Sequence, residues 1–247
     1  KTAYEIRNCD WSSDVCSSDL ELETHRYAER VGFDQSRVAQ LQEMVNAHLV
    51  ELAPNEATVA SELAESIRYS LLAPGKRARA ILTLLVTADL DGDMTLALGP
   101  ACAVELLHTA SLVVDDLPAM DDASVRRGRD SNHVRFGEDT AILAAITMLS
   151  DAFGVVARCQ QLDAQCRADI VETLSRRVGM HGLAAGQHLD LRAEHDGGSA
   201  PQIERIYRLK TGALFAASAW LGGRVLGSDS GRLDALSELD RKSTRLN

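Results

Sequence analysis

Residues 94–114, MTLALGPACAVELLHTASLVV, constrain the fold more than any other stretch. A helix this apolar around its whole circumference has no face to give to water, so other elements must surround it. The rest of the chain supplies helices. SRVAQLQEMVNAHLVEL sets Val38, Leu41, Val45, Leu49 and Leu52 on one face at helical spacing. Pro54 ends that helix, and Asn55 is placed to cap the next, which runs towards Leu72. APGKRARAILTLLVTADL turns at Pro74-Gly75 and restarts as an apolar helix, broken by DGD at Asp91–Asp93. DTAILAAITMLSDAFGVVARCQ reads as a second buried helix. Two further helical stretches are expected, from about Asp163 to Leu191 and from Pro201 to about Leu226. Aromatic residues are only 4% of the chain and alternating Val, Ile and aromatic runs are scarce, so no strand pattern competes. No internal repeat is visible. The expected fold is all-α, a single-domain bundle of many helices.

The two ends stand apart from this pattern. The N-terminal DWSSDVCSSDL and the C-terminal DRKSTRLN back-translate into reverse complements of one DNA sequence that resembles sequencing-library adapter. Residues 1–20 and 240–247 are therefore expected to be non-native and are set aside from fold reasoning. Residues 21–239 are expected to be the natural portion, cut at both ends. The net charge of −10 survives that trimming, because the set-aside ends carry equal numbers of acids and bases. An acidic chain is a poor general binder of nucleic acid or anionic membrane, so any anion it takes must be held by local bases or by metal. No apolar run is expected to be long enough for stable insertion in a bilayer, and a cytoplasmic location is expected. Cys102, Cys159 and Cys166 lack metal-site spacing and read as reduced, structural thiols.

The chemistry concentrates where the apolar helix ends. DDLPAMDDASVRRG follows it directly, with Pro118 interrupting the helix. Asp115 and Asp116 emerge from an apolar helix, and Asp121 and Asp122 return one to two turns later. Isolated acids here would be a solvated helix end. Acids emitted from a core instead point into a cavity mouth, where hard carboxylate oxygens suit Mg²⁺ shared with substrate phosphates. Arg126 and Arg127 follow, and guanidinium forks match diphosphate oxygens, although neutralising the aspartates is the simpler reading of the pair. GKRAR adds Lys76 and Arg79 one turn apart at a helix start that also favours an anion, with Arg77 as an unremarkable neighbour. His108 lies two turns before Asp115 on the same face. Lys210-Thr211 pairs a cation with a hydroxyl, and Gln187 and Asp190 in AAGQHLDL close the set as the weakest candidates.

Taken together, ELLHTASLVVDDLPAMDDASVRRG, HVRFGEDTAILAA and KTGALF resemble the trans-prenyl diphosphate synthases, most closely the bacterial geranylgeranyl type, over most of Leu72 to Leu226. The resemblance implies an isoprenoid-synthase-type bundle around a central cavity, with its C-terminal helices missing here. It implies Asp115 and Asp121 as metal ligands, supported by Asp116 and Asp122. It places Arg126, Lys210 and Thr211 on an allylic diphosphate, and Lys76, Arg79, His108 and Arg127 on isopentenyl diphosphate. Gln187 is carried as a further substrate contact, and Asp115, Asp116, Asp121, Arg126 and Lys210 as the catalytic set. Mg²⁺ is the implied cofactor, and a homodimer the implied assembly. Departures exist: Ala123 and Ser124 stand where many members have Asp, and Ala80 and Asp130 where many have Pro. None removes a matched ligand.

The implied reaction is condensation of isopentenyl diphosphate with dimethylallyl, geranyl or farnesyl diphosphate, through ionisation of the allylic C–O bond to a carbocation. Small residues at Ala110 and Ser111, about one turn before Asp115, imply room for a C20 product, whereas an aromatic at Ala110 would favour C15. The family's second aspartate-rich motif is not found after Lys210. Two readings of different class follow: an enzyme whose second motif lies downstream of Leu239, or a non-catalytic partner subunit. A farnesyl diphosphate synthase is the alternative enzyme. A terpenoid cyclase fits less well, having no need of the Lys76 and Arg79 site.

Overall fold

The computed structural model describes residues 35–55, 60–196 and 199–237. The set-aside segments 1–20 and 240–247 lie outside the described residues. Helices α1 (Gln35–Leu52), α2 (Ser61–Leu71), α3 (Ala78–Asp89) and α4 (Met94–Asp115) precede a two-stranded hairpin, β1 (Val125–Arg126) and β2 (Arg129–Asp130). Then follow α5 (Asn132–Phe136), α6 (Glu138–Ala157), α7 (Ala164–Val178), α8 (Leu183–Asp196) and α9 (Ala200–Tyr207). A π-helical segment (Arg208–Gly212), α10 (Ala213–Arg224) and α11 (Ser230–Ser237) complete the described order.

Helix α4 is the centre, as its composition requires. It packs against α6 most extensively, and also against α1, α2, α3, α7 and α10. Ala97, Ala101, Cys102, Ala103, Val104 and Ala110 on it are fully buried. Asp93 caps its start, its carboxylate accepting the Thr95 N–H. On α1 the predicted face is the packed one: Leu41, Val45 and Leu49 are buried, with Val38 and Leu52 partly buried beside them. Small residues set the closest approaches. A Cβ at Gly222 of α10 would meet the Thr83 carbonyl of α3 at 2.6 Å, so these two helices touch almost backbone to backbone.

The structure corrects several sequence expectations. Asn55 does not cap α2; Ala60 stands at that position without a side-chain cap. The helical stretch expected from about Asp163 to Leu191 consists of two helices, and a Cβ at Gly182 would meet the Arg177 carbonyl at 1.8 Å in the tight turn between them. The stretch from Pro201 to Leu226 is one rod interrupted by the π segment. Helix α6 is not fully buried: Ile142, Leu143 and Ile146 are exposed. By length and composition α4 and α6 are both long and apolar enough to cross a membrane, contrary to expectation; for α4 the packing around it explains that composition. A short hairpin also appears where no strand was expected.

Candidate active site

The end of α4, the loop before α3, the hairpin, α8, α9 and the π segment enclose a cavity of about 530 Å³. Its charged groups divide into two ends, with apolar wall from Leu112, Leu183, Ile203, Ile206, Tyr207 and Phe215.

The basic end is built around Gly75. Gln42 Nε2 donates to the Gly75 carbonyl at 2.8 Å and holds the loop. A Cβ at Gly75 would lie 2.8 Å from Arg127 Nη1, so that guanidinium packs closely over the glycine beside Lys76. Arg79 enters from the first turn of α3, its guanidinium 4.5 Å from the Phe215 ring centroid. Burial lowers its pKa to about 10, Glu105 opposing the shift and Arg127 adding to it. His108 faces the same space, and burial together with Arg79, Arg127, Arg126 and Arg77 holds its pKa well below the usual imidazole value, so it is neutral.

The hairpin delivers Arg126 and Arg127. Arg127 and Gly128 both have positive φ, 53° and 70°, the signature of a type I′ turn. The Tyr69 hydroxyl of α2 donates to the Asp130 carbonyl at 2.8 Å, and the Arg129 guanidinium lies 3.9 Å from the Tyr69 ring centroid. Buried Asn132 fixes the hairpin's exit, donating to the Ser66 carbonyl and to Ser70 Oγ and accepting from Ser66 Oγ.

The acidic end holds Asp115, Asp121 and Asp190, with Lys210 among them. Lys210 Nζ donates to Asp190 Oδ2 at 2.8 Å and lies 3.9 Å from Asp121 Oδ2. Burial alone would lower the Lys210 pKa; Asp115, the Asp190 hydrogen bond and Asp121 outweigh it and raise it. Asp115 is buried, and desolvation lifts its carboxyl to about 7 despite Lys210; Asp121 adds to the lift. Gln187 Nε2 donates to Asp121 Oδ1 at 3.3 Å, while its buried Oε1 has no partner among the described residues. The π segment turns Lys210 and Thr211 into the cavity. A Cβ at Gly186 would sit 2.3 Å from the Lys210 backbone nitrogen, so α8 lies directly on that segment.

The predicted residues are thus sorted. Lys76, Arg79, His108, Ser111, Asp115, Asp121, Arg126, Arg127, Lys210 and Thr211 line one cavity, with Gln187 beside Asp121. Three expected members stand elsewhere. Asp116 turns its carboxylate to Arg126, accepting from Nε at 3.0 Å and 3.1 Å and from Nη2, and lines a small adjoining cleft instead. Burial raises its pKa against the pull of that fork. Asp122 is exposed, in a left-handed turn at φ 48°, and is not part of the cavity wall. Ala110 is fully buried behind the wall to which Ser111 contributes. Arg77, read as an unremarkable member of the basic patch, is buried: it donates to Asn46 Oδ1, Leu71 O and Ala73 O. Sequence reasoning missed Glu105 and the π segment. A lone acid three residues before His108 in an otherwise apolar helix was the available signal for the first.

Among the described residues no three His, Cys, Asp or Glu side chains converge as a ready-made metal cage. Asp115 and Asp121 nevertheless offer hard oxygen donors on one cavity, and Gln187 Oε1, without a partner among the described residues, lies beside them. That donor set fits Mg²⁺, which usually takes one or two carboxylates and completes its shell with water and substrate phosphate.

A sequence profile of the polyprenyl synthetase family matches residues 60–243. The chain is 42% identical over 179 residues to the geranylgeranyl diphosphate synthase of Pseudescherichia vulneris, covering 72% of this chain and 58% of that protein. It is 40% identical over 177 residues to the farnesyl diphosphate synthase of Micrococcus luteus, covering 72% and 60%. The chain therefore spans less than two thirds of the length of either relative. Among solved structures it resembles an FPP/GFPP synthase from Zymomonas mobilis with TM-score 0.79 and 28% identity, over 84% of this chain and 76% of that one.

Proposed function

The chain belongs to the polyprenyl synthetase family, and on that premise we propose that it joins isopentenyl diphosphate to an allylic diphosphate. The observation that carries the reading is one cavity with a basic end, an acid-plus-lysine end and apolar residues in its wall. Lys76, Arg79 and Arg127 bind the isopentenyl diphosphate, with neutral His108 as a hydrogen-bond partner rather than a charge. Lys210, Thr211 and Arg126 bind the allylic diphosphate beside Asp115 and Asp121. Mg²⁺, held there by Asp115 and Asp121 when bound, supplies further neutralisation of the departing diphosphate. Lys210 and Arg126 stabilise the charge that grows on the leaving oxygen as the allylic C–O bond breaks and its electron pair departs. The isopentenyl double bond attacks the cation, its π electrons forming the new C–C bond. A proton then leaves to the released diphosphate.

A C20 product is proposed over C15, because Ser111 on the wall and Ala110 behind it are small. A second copy of the chain is the proposed partner for the exposed Ile142, Leu143 and Ile146 of α6. Without the second aspartate-rich motif the chain is expected to lack full activity, so the test is incubation of the full-length protein, including the sequence downstream of Leu239, with labelled isopentenyl diphosphate, geranyl or farnesyl diphosphate and Mg²⁺, with products separated by chain length. Magnesium-dependent C20 formation is expected. Isopentenyl diphosphate left unconsumed with every allylic partner would overturn the reading.

A further inference from the structure

Glu105 is an acid buried in the basic end of the cavity, where an anion is to bind. It is 2% exposed and one helical turn before His108 on α4. An acid beside an anion pocket weakens the pocket's field, so its presence there calls for a physical reason.

Its two oxygens have separate tasks. Oε1 accepts the Ala80 backbone N–H at 3.2 Å, and Oε2 lies 3.8 Å from Arg77 Nη1. Ala80 is the third residue of α3, so its N–H is one of the free donors that every helix start leaves unpaired. The residue that should cap this helix is Arg77. It stands in the left-handed region at φ 51° and can make no side-chain cap, because a guanidinium only donates and a helix-start N–H needs an acceptor; Arg77 donates to Asn46, Leu71 and Ala73 instead. Glu105 therefore caps α3 from another helix, and a carboxylate is the favoured partner for the positive end of a helix. The first turn of α3 carries Arg79, and the three residues before it include Lys76. The direction in which both cations enter the cavity follows from where that turn is anchored.

We propose that Glu105 is the positioning residue of the basic end: by capping α3 from α4 it fixes Arg79 and Lys76 for the diphosphate they bind. The inference rests on the reading that this end takes isopentenyl diphosphate. It separates two properties that an acid normally combines. What matters is the acceptor at the reach of a glutamate side chain, and the negative charge is secondary.

Glu105→Gln keeps an acceptor oxygen at the same reach and removes the charge. Glu105→Asp keeps the charge and withdraws the acceptor by one methylene. Calorimetric titration with isopentenyl diphosphate alone, and separately with geranyl diphosphate and Mg²⁺, reads each end of the cavity. Glu105→Asp is expected to weaken isopentenyl diphosphate about tenfold, the worth of one hydrogen bond, and leave geranyl diphosphate within about threefold. Glu105→Gln is expected to bind both within about threefold of the parent. The reverse order, with Gln poor and Asp normal, would assign the role to charge and overturn the proposal. Equal losses at both ends would mark Glu105 as a packing residue, and normal binding by both variants would remove its role altogether. Failure of the unaltered protein to bind isopentenyl diphosphate at all would instead refute the underlying reading of the cavity.

Discussion

The contact between Gly186 and the π segment gives the sharpest test of how the acidic end is built. An alanine Cβ at position 186 would lie 2.3 Å from the Lys210 nitrogen, 2.7 Å from its Cα and 2.8 Å from the Leu209 carbonyl carbon. All three are backbone atoms, so no rotamer change relieves them. Ordinary contact requires the two segments to separate by about 1 Å, and overpacking of that kind costs about 1–3 kcal/mol. Alanine returns about 0.5–1 kcal/mol of helix propensity. The net expectation for Gly186→Ala is a loss of about 1–2 kcal/mol, lowering Tm by roughly 2–8 °C for a domain of this size. Because the strain falls on Lys210 itself, the Lys210–Asp190 ion pair at 2.8 Å shifts with it, and kcat is expected to fall tenfold or more for an ångström-scale misplacement. Gly154→Ala is the control. There the Cβ meets only Arg158 Nη1 at 2.9 Å, the tip of a flexible side chain, so the propensity gain is kept and the protein is unchanged or stabilised. Calorimetric Tm and steady-state rates on both variants decide the matter. If Gly186→Ala is as stable and as active as Gly154→Ala, the argument from close approach is wrong.

Three further outcomes follow from the site. Asp115, raised to about 7, is protonated in the folded protein where the unfolded chain is ionised, so its contribution is full below about pH 4 and lost as pH rises towards 7. Without Mg²⁺, Asp115→Asn should therefore gain Tm relative to the parent between pH 4 and 7, and level off above, while losing activity; a pH-independent difference would reject the assignment. Asp116→Asn should leave the Mg²⁺ concentration for half-maximal activity unchanged but lower the rate and Tm, because it loosens Arg126 rather than removing a ligand, at a cost of about 1–3 kcal/mol. A shifted Mg²⁺ requirement would return Asp116 to the metal. Ser111→Phe should shorten the product with less loss of Tm than Ala110→Tyr, since Ser111 stands on the wall and Ala110 has no exposed surface; chromatography of the products and Tm measurements decide the order.

Much of this was legible in the sequence because it depends on composition and spacing. An all-round apolar helix must be central, and α4 is. Acids emitted from such a helix face enclosed space, and Asp115 does. Spacing could not say which member of each aspartate pair faces the cavity. Adjacent helical residues point about 100° apart, so Asp115 and Asp116 meet different surroundings, and which of them faces the cavity depends on where the hairpin brings Arg126. The turn residues Asp121 and Asp122 divide for a similar reason, Asp122 being spent on a left-handed conformation. Glu105 and Arg77 escaped because the partners that tie them across the fold, the Ala80 N–H and the Asn46 side chain, lie 25 and 31 positions away, which no local pattern encodes. The split between α7 and α8 was carried by Gly179 and Gly182, but a glycine announces a break only once the carbonyl it must clear is in place.

The π segment has a consequence for how one rod can serve two neighbours. Helix α9 gives Ile203, Ile206 and Tyr207 to the cavity; α10 adds Phe215 there and then gives Ala217 and Leu221 to the core and Gly222 to α3. In an unbroken α-helix one stripe would have to satisfy both surroundings. A single wider turn advances the phase of everything after it by about 100°. The rod is thus two helices cut from one axis and rotated against each other, with Lys210 and Thr211 at the cut. Removing one residue from the segment would restore a regular helix and turn one of its two halves away from its proper neighbour. The irregularity that aims the lysine is therefore also a register mark for the rod, and the chain cannot lose one without the other.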